Sequence, residues 1–588
     1  MGLGFTIDTP IKVAKYGISS VVSIIEDQLI EQMREVICTQ EKIKFLRIDE
    51  HEHDYRAKRI SVYLNLLQFV VNRQIDKIRN ENFENDHDIN FYFQLLPDTS
   101  ALKIKYESLS ALSGHEKIEV EKILKEHIVA GAIDVNIMTK VDKTNYDPAG
   151  CELPAEYSDA LACLRGFANS DLNSSVIFSA GLNPRLYSYC EKFDDFFPDQ
   201  NGYIRKKVIL KVSDYRSALI QGKFLAKKGI WVSEFRIESG INCGGHAFIA
   251  NGILLGPILE DFKTKRTELF DELLGDCSKA LTQANRRPFC DTPAQRITAQ
   301  GGIGTAAENN LLTEYYHIDS TGWGSPFLLV PEVTNVDEDT LNKLSHAQKQ
   351  DFYLSDSSPL GVPFHNFRLS SSETQRKERI AKNRPGSPCY KKFLTFSKEF
   401  TDKPICTASR QYQKLKIDAL KKSCSDEATL QAEIAKLIEK DCLCEGLGVS
   451  ALLKNKAKIV HKLSAVTICP GPNLAYFSGV FTLKEMVDHI YGRLNLLNNL
   501  IRPNLFVNEL QLYVDYIKRE FEKSRNDLTA KKEDYFQTFK NNLVDGIQYY
   551  ESLFSKIAKS DTDFQKNNLK LLKDIKESLI RFPLLQKS

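Results

Sequence analysis

Three glycine-bearing segments stand in a fixed order along the chain: Glu238-Ser239-Gly240-Ile241-Asn242-Cys243-Gly244-Gly245-His246, Gln300-Gly301-Gly302-Ile303-Gly304-Thr305 and Gly322-Trp323-Gly324-Ser325-Pro326-Phe327. Each follows or contains a short apolar run of the kind that forms a strand. Glycines at strand ends let backbone N–H groups approach a phosphate, and a helix starting just beyond adds favourable partial charge. The hydroxyls of Thr305 and Ser325 can donate further hydrogen bonds. One such turn is common, and taken alone its glycines only make it tight; three in order point to an anion site. His246 is the candidate for proton transfer, because an imidazole ordinarily titrates near neutrality and Gly244-Gly245 leave room beside it for a ligand. Cys243 adjoins the same turn, but no basic partner that would make it a nucleophile lies next to it in sequence.

A second group is made of cysteines. Cys389, Cys406, Cys442, Cys444 and Cys469 fall in a stretch rich in proline and serine, in the contexts Pro388-Cys389, Pro404-Ile405-Cys406, Cys442-Leu443-Cys444 and Cys469-Pro470-Gly471-Pro472. Thiolates on rigid turns suit a four-cysteine [4Fe–4S] cluster or a structural zinc. Their spacing is neither a ferredoxin nor a zinc-ribbon pattern, and buried unligated thiols are the remaining reading. Cys424 lies in a charged helical stretch and is the least suited to be a ligand.

The elements that must position these residues follow from the apolar pattern. Phe5 to Ile25 reads as a strand, a loop and a short helix. Residues 40–125 read as a helical insertion, with Ser61 to Ile78 at helical spacing. Short apolar runs then recur at Ala132 to Met138, Ser175 to Ala180, Lys207 to Val212, Gly229 to Ile237, Arg296 to Ala299 and Gly322 to Val330, with helix-like stretches between them. Strands alternating with helices predict a parallel sheet. Their number predicts an α/β fold of the (β/α)8 TIM-barrel type over residues 1–345. An open dinucleotide-binding sheet would show an early Gly-rich turn, and there is none. Residues 346–480 read as a Cys-rich capping region. Residues 481–588 read as a helical region, with periodic segments at Met486 to Ile501, Leu505 to Glu522, Asp534 to Ile557 and Asn567 to Ile580.

The 588 residues are 42% apolar and 27% charged with a formal net charge of +2, so the balance of charge argues for neither a nucleic-acid nor a membrane partner. No stretch has the length of a membrane helix. An odd count of 13 cysteines without the build of a signal peptide predicts a reducing compartment, the cytoplasm.

The glycine turns resemble those of the nitronate monooxygenase (2-nitropropane dioxygenase) family of FMN barrels. That family has a Gly-Gly-His turn, a Gly-Gly-Ile turn and a Gly-Thr-x-Phe ending, which stand here as Gly244-Gly245-His246, Gly301-Gly302-Ile303 and Gly324-Ser325-Pro326-Phe327. Val135-Asn136-Ile137 is similar to the family's early strand, Lys211 to its flavin-contacting lysine, and Thr9-Pro10-Ile11 to its first loop. Ser325 stands where the family has threonine, and the family lacks so long an extension; an enoyl reductase of polyunsaturated fatty acid synthases, which adds a C-terminal part to such a barrel, is the nearer likeness in architecture. The resemblance implies an FMN-dependent oxidoreductase. It would have Asn136, Lys211, Gly245, Gly301, Gly302, Gly324 and Ser325 on the cofactor, His246 over the ring, and a small-molecule or thioester substrate. An iron–sulfur cluster on the cysteines would feed electrons to the flavin. The alternative is a barrel without catalysis that binds partners through its C-terminal helices.

Overall fold

The computed structural model describes residues 3–147, 149–179, 181–249, 251–525, 528–557 and 562–582. Seven strands form one parallel sheet in sequential order: β1 (Ser20–Ser23), β2 (Ile133–Met138), β3 (Ser174–Ser179), β4 (Lys206–Val212), β5 (Val232–Glu238), β6 (Arg296–Gln300) and β7 (Ser320–Gly322). Ala180, at the end of one expected run, lies outside the described residues, as do residues 583–588 of the expected helical region.

Sequential parallel strands joined by right-handed crossovers put the helices on one face. The other face is then covered only if the sheet curls on itself, and it does. Arg236 of β5 reaches Asp134 of β2, Nη2 to Oδ2 at 3.5 Å; in a flat sheet three strand spacings would hold them about 14 Å apart. Residues alternate accordingly. Val135, Val176, Phe178, Leu210, Phe235 and Ile297 face the helices and are buried, each contributing about 1.5–3 kcal/mol by leaving water. Asp134, Glu234, Arg236 and Thr298 line the concave face in a polar network, with Thr298 Oγ1 donating to Glu234 Oε1 at 2.6 Å.

Among the described residues the sheet has one strand fewer than the expected closed barrel, and β7 does not pair with β1. The chain beyond β7 is instead tied to the chain before β1. Asn335 N–H donates to the Phe5 carbonyl at 2.9 Å, and Thr9 Oγ1 to the Val333 carbonyl at 2.7 Å. Two sequence expectations are corrected here. Gly322 to Val330 is a strand only to Gly322, and Ser325–Leu329 is a 3-10 turn; Pro326 has no N–H for a ladder and its fixed φ starts a helical turn. In the opening segment a helix (Thr9–Val13, with Pro10 in its first turn) precedes the strand.

Five helices from Asp27 to Glu126 lie between β1 and β2, and the longest, Tyr55–Arg79, packs on Asp159–Ala168 outside the sheet. Past the curled sheet comes an antiparallel hairpin, β8 (Phe352–Ser355) and β9 (Phe364–Phe367). The helix expected over Met486 to Ile501 spans Leu483–Ile490 and stops at Gly492, whose φ of +80° is the left-handed conformation that ends helices. Helices Leu505–Ser524, Ala530–Ile557 and Thr562–Arg581 pack on one another, and the first two pack on the helix Leu255–Thr264 between β5 and β6. Their apolar stripes, including Leu510, Tyr513, Ile547 and Tyr550, are buried within the chain. No described helix is long and apolar enough to cross a membrane.

Candidate functional site

The C-terminal ends of β4, β5 and β6 converge on one ion pair. Lys211 Nζ lies 2.5 Å from Glu238 Oε2, and Gln300 Nε2 donates to the other Glu238 oxygen at 2.9 Å. Lys211 and Glu238 keep 23% and 20% of their side-chain surface uncovered although both sit inside the ring of strand ends, so the mouth of the curled sheet is not filled by side chains. Burial alone would raise the Glu238 carboxyl; Lys211 outweighs it and holds the group below the usual carboxylate range, hence ionised. Asn136 stands on the same face of the neighbouring part of the sheet, its Nδ2 donating to Ser23 Oγ at 3.3 Å. Cys243 is a thiol rather than a thiolate, pushed well up by burial and then by Glu238, and is no nucleophile at neutral pH.

His246 is set by the hairpin. The Gly245 carbonyl accepts from His365 N–H and the Ala247 N–H donates to the Pro363 carbonyl, both at 2.9 Å, and the imidazole Nε2 lies 2.7 Å from Ser358 Oγ. The expected near-neutral titration is corrected: burial, then the Lys211 charge, lowers the His246 pKa to about 4. It is a neutral imidazole at pH 7. Beside it Gly245 (φ +83°) is open, and a Cβ there would meet no atom within 4 Å.

The Gly301-Gly302 turn is built differently. A Cβ on Gly302 would stand 1.9 Å from Asn242 Nδ2, and one on Gly301 would stand 2.8 Å from Cys243 Sγ, so these glycines are needed for the turn to pack on the loop after β5. The C-terminal part of the chain holds the turn from outside. Arg502 Nη2 donates to the Gly302 carbonyl (2.6 Å), Asn473 Nδ2 to Ile303 (2.9 Å) and His489 Nε2 to Gly304 (3.0 Å), while Gly304 N–H donates to Glu308. Ser325 Oγ, beside Gly324, accepts from Gly471 N–H at 2.7 Å, which leaves the hydroxyl hydrogen to donate. None of Arg502, Asn473, His489 or Glu308 carries a sequence signal for this task, since each pairs with residues far along the chain or with a loop whose shape is set by them.

The five cysteines divide. Cys389 lies beside Cys406, and Cys442 beside Cys444, close enough for each thiol to influence its neighbour. Cys469 is apart from them, at the mouth of the curled sheet, where its carbonyl accepts from Gly245 N–H at 3.1 Å. Among the described residues no three His, Cys, Asp or Glu side chains are arranged around a single metal ion.

His365 supplies a pH test of this packing. It is buried, its Nε2–H donates to the Ile241 carbonyl at 2.7 Å, and burial lowers its pKa to about 4. A folded pKa below the unfolded value near 6.5 means the unfolded chain binds the extra proton. The stabilisation is complete above about pH 6.5 and is lost as pH falls toward 4, at about 1.4 kcal/mol per pH unit. In urea unfolding series over this window, His365→Gln should flatten the acid limb by one proton; an unchanged slope would mean the imidazole is not held neutral.

No family model matches the chain, and no curated protein matches it in sequence. Among solved structures it is similar to the enoyl reductase domain of MlnA from the macrolactin biosynthesis cluster of Bacillus amyloliquefaciens, at 13% identity and a TM-score of 0.31 over 64% of this chain and 80% of that one. A likeness at this level identifies no activity.

Proposed function

We propose that the chain is an FMN-dependent oxidoreductase whose reaction centre is the mouth of the curled sheet. The observation that carries this reading is the Lys211–Glu238 pair, left partly uncovered at the strand ends beside a neutral His246 and the open space at Gly245. The residues present suit the group. Gly245 and Lys211 border the open room a ring would take, Asn136 adds an amide to the same face, and the Gly301-Gly302 backbone with Gly324 and the Ser325 hydroxyl would meet the phosphate. FMN, when bound, supplies exchange of a hydride with an activated C–H or C=C bond, as in a nitronate or an enoyl thioester.

The chain's own residues do the rest. Lys211 offers a cation to an electron-rich ring, and Glu238 balances its charge so that the mouth stays near neutral before a ligand arrives. His246 has a free proton site on its imidazole at pH 7 and acts as a base or a neutral hydrogen-bond donor, with Ser358 Oγ fixing the ring through Nε2. The hairpin and the segment around Cys469–Gly471 border the mouth, bonding to Gly245, Ala247 and Ser325, and leave Lys211 and Glu238 partly open to a ligand.

His246→Gln should leave FMN bound and slow turnover of a nitronate or enoyl-thioester substrate about 10²–10⁴-fold. The wild-type rate should show no break from His246 between pH 5 and 8, because that group titrates near 4. Unchanged turnover in the variant would leave His246 a packing residue.

A further inference from the structure

We propose that Cys389 and Cys406 form a thiol–disulfide exchange site: a small disulfide of the glutathione type oxidises the pair to a Cys389–Cys406 bond, and excess thiol opens it again. The two thiols lie side by side because their loops are bonded together. Ser387 N–H donates to the Ala408 carbonyl (2.9 Å) and Arg410 N–H to the Ser387 carbonyl (2.8 Å). Ser409 N–H donates to the Cys406 carbonyl (2.9 Å), a turn that brings Cys406 back to this junction. Ser397 and Ile405 exchange both backbone hydrogen bonds (3.1 and 2.8 Å), which pins the residue before Cys406. Cys389 has φ +59°, a left-handed backbone that a residue with a Cβ adopts only when its surroundings impose it. The thiols are close enough that each is the largest influence on the other's proton.

The two thiols differ in the way exchange requires. Cys389 is half-buried and lines a small cavity with Arg379 and Ser387, so a dissolved disulfide meets it first; Cys406 is buried. Cys406, and then the Lys392 backbone N–H and side-chain charge, outweigh burial and hold the Cys389 thiol below its usual range. Burial instead pushes Cys163, Cys190 and Cys277 up. The attacking species is the thiolate, so Cys389 starts the exchange. Its sulfur attacks one sulfur of the small disulfide; that S–S bond breaks, and the first thiolate leaves and takes a proton from water. Cys406, its proton passing to water, then attacks the Cys389 sulfur and expels the second. Two protein thiols and one small disulfide become one protein disulfide and two small thiols, so atoms and electrons balance. Cys442 and Cys444 are a poorer pair, two residues apart where the helix Leu443–Lys454 begins, and a bond between them would distort that first turn. Where glutathione keeps thiols reduced, a bond of this kind forms transiently and reports the redox state. The exchange needs no flavin, so its test and the test of the flavin reading stand or fall separately.

The test is differential alkylation with peptide mass mapping of the full chain, kept folded and incubated anaerobically with oxidised and reduced glutathione in varied ratio. Exposed Cys151 and Cys290 report that the reagent reaches the protein. As oxidised glutathione rises, Cys389 and Cys406 should lose alkylation together and appear as one cross-linked peptide, and excess reduced glutathione should restore both. Cys406→Ser should stop at a glutathione adduct on Cys389, and Cys442→Ser should change nothing. Cys389 and Cys406 still unlinked when Cys151 and Cys290 carry adducts, a bond from Cys389 to Cys442 in place of Cys406, or a Cys406→Ser protein without an adduct on Cys389 would overturn the proposal.

Discussion

Replacing Lys211 with methionine should weaken FMN binding about 10–100-fold and make the potential of the bound flavin about 30–60 mV more negative. The affinity figure is the loss of one charged hydrogen bond to the oxidised ring, about 1.5–3 kcal/mol; the potential figure is a further loss of about the same size confined to the reduced, electron-rich ring, which loses the cation's attraction and meets the uncompensated Glu238 carboxylate. Lys211 is the cation of the pair at the mouth of the curled sheet, and its removal leaves Glu238, among the described residues, with Gln300 and the Cys243 thiol as its hydrogen-bond partners. A largely desolvated carboxylate without its cation repels an electron-rich ring, and its own pKa rises. The double variant Lys211→Met/Glu238→Gln removes the repulsion and should recover part of the affinity, because deleting both partners is milder than deleting one. Flavin titration with potentiometry reads both effects. A Lys211→Met protein that binds FMN at unchanged affinity and potential would show that the lysine does not face the flavin.

Arg502→Ala should lower stability by about 3–5 kcal/mol, the usual cost of removing one partner of a buried ion pair. Arg502 and Glu308 are 6% and 4% exposed and 2.6 Å apart. Arg502 also donates to Asn473 Oδ1 (2.8 Å) and to the Gly302 carbonyl. Glu308 accepts in addition from Leu505 N–H at 2.6 Å, where a long C-terminal helix begins. One guanidinium therefore locks the Gly301–Gly304 turn to the C-terminal part of the chain. Arg502→Lys should rescue little, since a single ammonium cannot span these planar, divergent acceptors. Urea unfolding of the three proteins measures the loss; a midpoint unmoved in Arg502→Ala would mean the turn is held by its own glycines.

The strands of the sheet were legible because their convex positions are β-branched or aromatic at alternate residues, as at Val135 and Ile137 and at Val176 and Phe178. The strand ends were legible because glycine and hydroxyl residues follow those runs. Gly322 to Val330 misled for the same reason: GWGSPFLLV has the composition of a strand, and only Pro326 marks the turn. Gly492 marked the end of the helix expected to run to Ile501, but the apolar periodicity continues past it. The Lys211–Glu238 pair joins the ends of adjacent strands, so it emerges only once the register of β4 on β5 is fixed. The hold of Arg502, Asn473 and His489 on the Gly302–Gly304 carbonyls leaves no local trace at all. Burial decides the protonation of His246, and sequence carries burial only through the fold. Composition grouped Cys469 with the other four cysteines; tertiary structure puts it at the mouth of the curled sheet instead.

The most direct test of the flavin reading is a titration of the purified full-length chain with FMN, followed by its visible spectrum and by co-elution on gel filtration. The proposal predicts saturable binding of one FMN per chain, with the flavin bands perturbed and the cofactor carried through the column. A colourless protein that takes up no added FMN would contradict it, and would leave the glycine turns as packing features of a curled sheet that does other work.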